Sequence, residues 1–240
     1  MPIRIVGLTG LPEVRAGDDL AALIRAAAGE LDAGTIVVIA QKIVSKAEGA
    51  VVDLRTVTPS TLAADWAARH GKDARLIELV LRESRRIVKM DRGVLIAETR
   101  QGFITANAGV DQSNTPGEDL ATVLPADPDA SARRIREALG CGAVIVSDTF
   151  GRPWREGLVN VAIGLSGLAP LEDLRGARDR SGRPLASSVV AVADELAAAA
   201  GLAMPKSAGV PVALITGFEW SPAEGSAKAL IRSPETDLFR

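Results

Sequence analysis

The chain has 240 residues, 47% of them hydrophobic and 24% charged, with a formal net charge of -2. That is the profile of a globular chain long enough to bury a sizeable core, and it gives no reason to expect nucleic acid or an anionic membrane surface as a partner. No apolar run approaches the ~20 residues of a membrane span.

The scarce residues constrain the chemistry. One Cys (Cys141), one His (His70) and no Tyr exclude an internal disulfide, and with it any zinc site built from several Cys or His of one chain. Chemistry must then run on carboxylates, hydroxyls, Lys, Arg and a bound cation. The start, Met1-Pro-Ile-Arg-Ile-Val, carries no secretory pattern and reads as cytoplasmic.

Ile3 to Leu8 predicts a first strand, ending in Thr9-Gly-Leu-Pro12. Asp18 and Asp19 then cap a helix with Leu20, Leu23, Ile24, Ala27 and Leu31 on one face. Thr35 to Ala40 is apolar and β-branched, the plainest strand in the chain, and leads directly into Gln41-Lys-Ile-Val-Ser-Lys-Ala-Glu-Gly49. Lys46, a few residues past a buried strand end, is placed for a phosphate, but neither a Walker loop nor a GxGxxG fingerprint is present. In isolation it reads as a surface lysine.

Pro59 to His70 and Asp73 to Ser84 predict two helices, the second with Leu76, Leu79 and Val80 on its apolar face. His70 falls at a helix C-terminus, where it reads as structural. Arg86 to Met90, Val94 to Thr99 and Phe103 to Ala106 predict a meander of short strands. It runs into Asn107-Ala-Gly-Val-Asp-Gln-Ser-Asn114, which crowds Asp111, Ser113 and Asn114 into one loop.

A proline-marked connection, Leu124 to Ala132, leads to a helix over about 130–139. Val144 to Val146 is a buried strand that breaks into Ser147-Asp148-Thr149, followed by Gly151 and Pro153, and the stretch is expected to form a turn. This sets a carboxylate and a hydroxyl at the mouth of a sheet, with Arg152 and Arg155 beside them for phosphate or carboxylate recognition. Asn160 to Leu168 is small-residue and glycine-punctuated, a pattern of close backbone approach. Ser187 to Ala200 predicts a long helix, Gly209 to Thr216 a last strand, and Ser226 to Arg240 an amphipathic tail. No repeat, low-complexity tract or linker interrupts the chain.

Several stretches, in order and spanning nearly the whole chain, resemble one family: the coenzyme F-420-0:L-glutamate ligases, or F-420 gamma-glutamyl ligases. They are Gly10-Leu-Pro-Glu13 with Gly17-Asp-Asp-Leu20, Val44-Ser-Lys-Ala-Glu-Gly49, Asn107 to Asn114, and Leu124-Pro-Ala-Asp-Pro-Asp129. Ser147-Asp-Thr-Phe-Gly-Arg152, Ala162-Ile-Gly164 and Val192-Ala-Asp-Glu195 complete the set. The resemblance implies a mixed α+β fold with two interleaved subdomains, a single ligase domain over 1–240 without a nitroreductase-like C-terminal domain, and a homodimer. It also implies a reaction. GTP phosphorylates the terminal carboxylate of the deazaflavin precursor F-420-0, and the amine of L-glutamate displaces phosphate; repetition through the γ-carboxyl gives a tail.

By the same resemblance, Leu11, Pro12, Glu13, Gln41, Lys42, Lys46 and Asn114 would contact nucleotide. Asp111 and Asp148 would bind Mg or Mn and carry the catalysis, Thr149 would bind a second metal, and potassium is a further candidate ion. Hard cations take oxygen donors, and phosphoryl transfer needs mostly positioning and charge neutralisation. One departure stands out: the loop Met204-Pro-Lys-Ser-Ala-Gly-Val-Pro211 lacks the acidic or amide residue that relatives usually place near the second metal, leaving Ser207 or a backbone carbonyl to substitute for it, or Lys206 to replace the cation in part. That loop favours the rival reading, a metal- and nucleotide-binding module without ligase activity. A metal-dependent phosphatase would need Asp-x-Asp, and Asp148-Thr-Phe150 lacks the second carboxylate.

Overall fold

In the computed structural model, which describes residues 2–115 and 117–238, the chain opens with β1 (Arg4–Gly7) and α1 (Leu20–Ala28). Asp19 caps α1 by accepting from Ala22 N–H at 3.0 Å. Gly29, at φ 78°, ends it, so Leu31 lies beyond the helix rather than on its face. β2 (Thr35–Ala40) passes without a loop into α2 (Gln41–Ala47), followed by β3 (Val51–Asp53). α3 (Thr61–His70), capped by Ser60, and α4 (Ala74–Glu83), capped by Asp73, come next. The meander is β4 (Ser84–Asp91), β5 (Val94–Thr99) and β6 (Ile104–Ala106). After β7 (Leu120–Thr122), α5 (Pro128–Leu139) leads to β8 (Ala143–Arg152) and β9 (Arg155–Ser166). The short β10 (Glu172–Asp173) and β11 (Val189–Val190) precede α6 (Val192–Gly201) and β12 (Val212–Thr216).

Five strands form the main sheet in the order β1-β12-β2-β8-β9, with β2 and β8 parallel and the other pairs antiparallel. Ile36 to Ile39 and Val144 to Val146 are fully buried in it, as expected for central strands covered on both faces. Around them Ile24, Ile135, Leu165, Leu196 and Ile215 complete one apolar core. A second core, with Leu54, Trp66, Leu79, Val80, Leu95 and Ala121 at its centre, is built from the segment between α2 and α5. The fold is therefore α+β, and its two cores are interleaved: one is an insertion in the sequence of the other.

Two carboxylates within the motifs serve this framework. Asp129 accepts from Leu165 N–H and Ala227 N–H at 2.9 and 3.0 Å and from the Ser226 hydroxyl, tying α5 to β9 and to the C-terminal segment. Asp194 accepts from Ala162 N–H at 2.8 Å, where the β8–β9 register shifts between Val146 and Ser147. Gly164 belongs to the same region: a Cβ there would meet the Pro128 carbonyl at 2.4 Å. The close approach expected for this stretch is thus to the start of α5.

Two expectations need correction. Ser147 to Thr149 does not break the strand; it continues β8, which pairs with β9 as far as Arg152, and the reversal comes at Pro153-Trp154, the far end of the expected turn. The β9 partner supplies ladder hydrogen bonds that no local signal in the stretch announced. The predicted helix over 187–200 begins only at Val192, because Val189–Val190 pair with Glu172–Asp173.

Candidate active-site cleft

The parallel pair β2 and β8 ends with Ala40 opposite Ser147. Beyond that point β2 turns into α2 while β8 runs on, so Asp148 is the first residue of β8 past the end of its parallel neighbour. The β-bulge at 146–147, which bends the ribbon, lies just before it. A cleft of about 740 Å³ opens there. Leu11, Pro12 and Glu13 line it from the loop after β1, Gln41, Lys42 and Lys46 from α2, and Asp111 and Asn114 from the loop before β7. Asp148 and Thr149 come from β8, so every residue that the family resemblance assigned to the site faces this one cavity. Residues distant in sequence meet because these four chain segments converge where β2 gives way to α2.

Their polar contacts are specific. Lys46 is only 6% exposed; its ammonium donates to the Glu13 carboxylate and, at 2.6 Å, to the Asn114 carbonyl. Lys42 Nζ lies 2.9 Å from Asp111 Oδ2 and 2.5 Å from Ser113 Oγ. Asp111 also accepts from Ser113 N–H at 2.7 Å and from its hydroxyl at 3.0 Å. Burial pushes the Asp111 carboxyl up, but the Lys42 ammonium and the Ser113 donors outweigh it and hold the group below its ordinary range. The loop that presents Asp111 and Asn114 is conformationally demanding: Asn107, Ala108 and Asn114 all have φ between 51° and 57°, a left-handed geometry rare outside glycine. Gln41, by contrast, is committed to the framework, 3% exposed and accepting from the Ser45 hydroxyl at 2.8 Å.

Asp148 has the opposite electrostatics. Burial raises its pKa to about 6; Thr149 N–H, 2.7 Å from Oδ1, opposes this, while the Asp111 charge adds to it. Two carboxylates that line one cleft together with the Ser113 and Thr149 hydroxyls form a donor set for a hard cation. Among the described residues no cluster of three or more His, Cys, Asp or Glu could hold a metal. A cation between Asp111 and Asp148 would therefore complete its shell from ligand phosphate and water, the usual arrangement for Mg. The residues fit one such ion.

A consequence can be measured on the metal-free protein. The folded Asp148 pKa of about 6 stands above its ordinary 3.8, so the fold favours the protonated form. Its contribution is complete below the unfolded value and is lost as pH rises through the folded one. In chelator the wild type should lose ~1–3 kcal/mol from this group between pH 4 and pH 6. Asp148→Asn should flatten that slope and raise the neutral-pH Tm of the apoprotein. Identical pH–stability curves for the two proteins by thermal denaturation would rule this out.

Some sequence expectations fall outside the cleft. Arg152 donates to the Glu156 and Gly157 carbonyls at the exposed tip of the β8–β9 hairpin, and neither it nor Arg155 lines the cavity. Extending β8 as a strand carried both away. His70 sits in the last turn of α3 with its ring 4.0 Å from that of Trp66, in the second core region. One cleft residue escaped notice. Asn160 on β9 faces the cavity, and its Oδ1 accepts from the Thr149 hydroxyl at 3.0 Å; the β8–β9 register that pairs the two is a long-range fact.

A mixed α+β chain that gathers three lysines and three carboxylates around one cavity has a strongly charged site. The comparisons make the class specific: residues 9–217 match the family F420-0:Gamma-glutamyl ligase, and the chain belongs to it. The chain is 49% identical to the Coenzyme F420:L-glutamate ligase of Methanothermobacter thermautotrophicus, with both chains covered in full. Its identity to the protein of the same name from Methanopyrus kandleri is 48%, over 95% of this chain and 94% of the relative. For Methanocaldococcus jannaschii the identity is 38%, over 99% and 97%. No helix among the described residues is long and apolar enough to cross a membrane.

Proposed function

We propose that this chain is a GTP-dependent ligase that joins L-glutamate to F-420-0 through an acyl phosphate. The observation that carries the reading is the convergence of Lys42, Lys46, Asp111 and Asp148 on one cleft, in a chain whose relatives are named as ligases of coenzyme F420 and L-glutamate. The γ-phosphoryl group of GTP passes to a carboxylate oxygen of the acceptor and GDP leaves. The glutamate amine then attacks the acyl carbon, inorganic phosphate departs, and the amine loses a proton as the amide forms.

The side chains divide this work by position. Lys46, fixed between Glu13 and the Asn114 carbonyl, presents a desolvated ammonium to the phosphates. Asp111 and Asp148 would hold Mg or Mn, which supplies charge neutralisation on the transferred phosphoryl group. Lys42, now on Asp111, can turn to phosphate when a cation takes its place. Leu11, Pro12, Val14 and Ile43 line the cavity with apolar surface, limiting the water that would hydrolyse an acyl phosphate. Phosphoryl transfer in such a site is positioning and electrostatics, consistent with a cleft that holds no His, Cys or Tyr.

Incubation with GTP, Mn or Mg, L-glutamate and F-420-0 should give a deazaflavin heavier by one or more glutamyl units in mass spectrometry. Absence of any mass increment under those conditions would refute ligation and leave a nucleotide- and metal-binding module. The carboxylate-free loop 204–211 is the feature that favours that alternative.

A further inference from the structure

Among the described residues the cleft is lined by three carboxylates and three ammonium groups, and two of each are already matched. Glu13 pairs with Lys46, and Asp111 with Lys42. Among the described residues Asp148 is held only by a backbone N–H, that of Thr149. The third ammonium, that of Lys206, lines the same cavity from the segment between α6 and β12, and among the described residues it has no hydrogen-bond or ion-pair partner. Its charge nonetheless acts on Asp148, favouring the ionised carboxylate.

A second divalent ion beside Thr149 does not fit this arrangement. The Thr149 hydroxyl donates to Asn160 Oδ1 at 3.0 Å and keeps its lone pairs, so it offers a second ion a single neutral oxygen. The facing loop, Met204 to Pro211, contributes no carboxylate or amide side chain. Bringing a divalent cation up to an ammonium adds a like-charge repulsion that one carboxylate does not offset in a partly desolvated cleft. A fixed ammonium, by contrast, satisfies both Asp148 and an incoming phosphate.

We propose that Lys206 takes the place of a second cation: its ammonium meets the nucleotide polyphosphate beside Asp148, and the chain binds nucleotide with a single divalent ion. This rests on the nucleotide-binding reading above. A lysine there acts as a point charge on phosphate, and Pro205 and Pro211 at either side restrict the backbone that carries it.

The test uses the full chain, GDP and Mn2+. Equilibrium dialysis with metal analysis should count about one Mn2+ per wild-type chain at saturating GDP, with phosphate oxygens completing the shell. In calorimetry at fixed Mn2+, Lys206→Met should weaken GDP binding about tenfold, the loss of one charged hydrogen bond, and Lys206→Arg should restore most of it. Lys206→Glu adds a carboxylate beside Asp148 and should raise the count to about two. Two ions on the wild type, a count unchanged in Lys206→Glu, or unaltered GDP affinity in Lys206→Met would each overturn the proposal while leaving nucleotide binding intact. A wild type that binds no GDP at any Mn2+ concentration would instead bring down the nucleotide reading, and this proposal with it.

Discussion

Asp148→Asn and Asp111→Asn should each abolish phosphoryl transfer and erase most of the thermal shift that Mn2+ and GDP confer on the wild type. The two carboxylates come from the loop before β7 and from within β8, yet both face one cavity, and the Asp111 charge helps keep the Asp148 pKa high. Without a cation that proximity is repulsive; a divalent ion reverses the sign and bridges the pair to phosphate. A ligand present at about 100 times its dissociation constant stabilises the fold by ~2.7 kcal/mol, roughly 5–10 °C for a chain of this size. Asn keeps the volume of Asp but removes the charge, so both variants should fold and lose the shift. Their apoproteins should differ, because Asp111 is already compensated by Lys42 while Asp148 has no such ion pair. Retention of the full wild-type shift by either variant would show that its aspartate is not a ligand.

What could be read before folding was local, and what could not depended on partners. The caps at Asp19, Ser60 and Asp73 work through contacts two or three residues away, so the starts of α1, α3 and α4 were visible in the sequence. Thr35 to Ala40 was equally plain, because a β-branched run buried on both faces has little else to become. Ser147 to Thr149 misled for the opposite reason. Its residues favour a turn in isolation, and only pairing with Asn160 to Ala162 makes them a strand. The same long-range register hid Asn160 and removed Arg152 from the site. Asp111, Asp148 and Lys46 were found through family motifs, since periodicity says nothing about which loops share a cavity. Asp129 and Asp194 lie in motifs of the same kind, yet their carboxylates hold backbone N–H groups, so motif membership alone does not separate chemistry from scaffolding.

Lys46→Ala should weaken GTP binding about 10- to 100-fold while leaving the fold intact. Removing one member of a buried ion pair is usually costly to stability because the other charge is stranded. Here the geometry differs. The side chain of Lys46 is 7% exposed but that of its partner Glu13 is 62% exposed, so Glu13 recovers hydration once the ammonium is gone. The Asn114 carbonyl loses one donor, a cost water entering the vacated space can repair. Stability should therefore change little. Nucleotide binding has no such remedy: the ammonium sits at the wall of the cleft, largely desolvated, where its attraction for phosphate is weakly screened. Its loss removes a charge-assisted contact worth ~1–3 kcal/mol and leaves the Glu13 carboxylate facing the phosphates uncompensated. Lys46→Arg keeps the charge but replaces a compact ammonium with a planar fork in a space bounded by Glu13 and Asn114, so it should rescue affinity only in part. Calorimetric titration with GTP, beside a thermal melt of each variant, separates the two effects. GTP affinity unchanged in Lys46→Ala, with a lowered Tm, would assign Lys46 to the scaffold and not to the ligand.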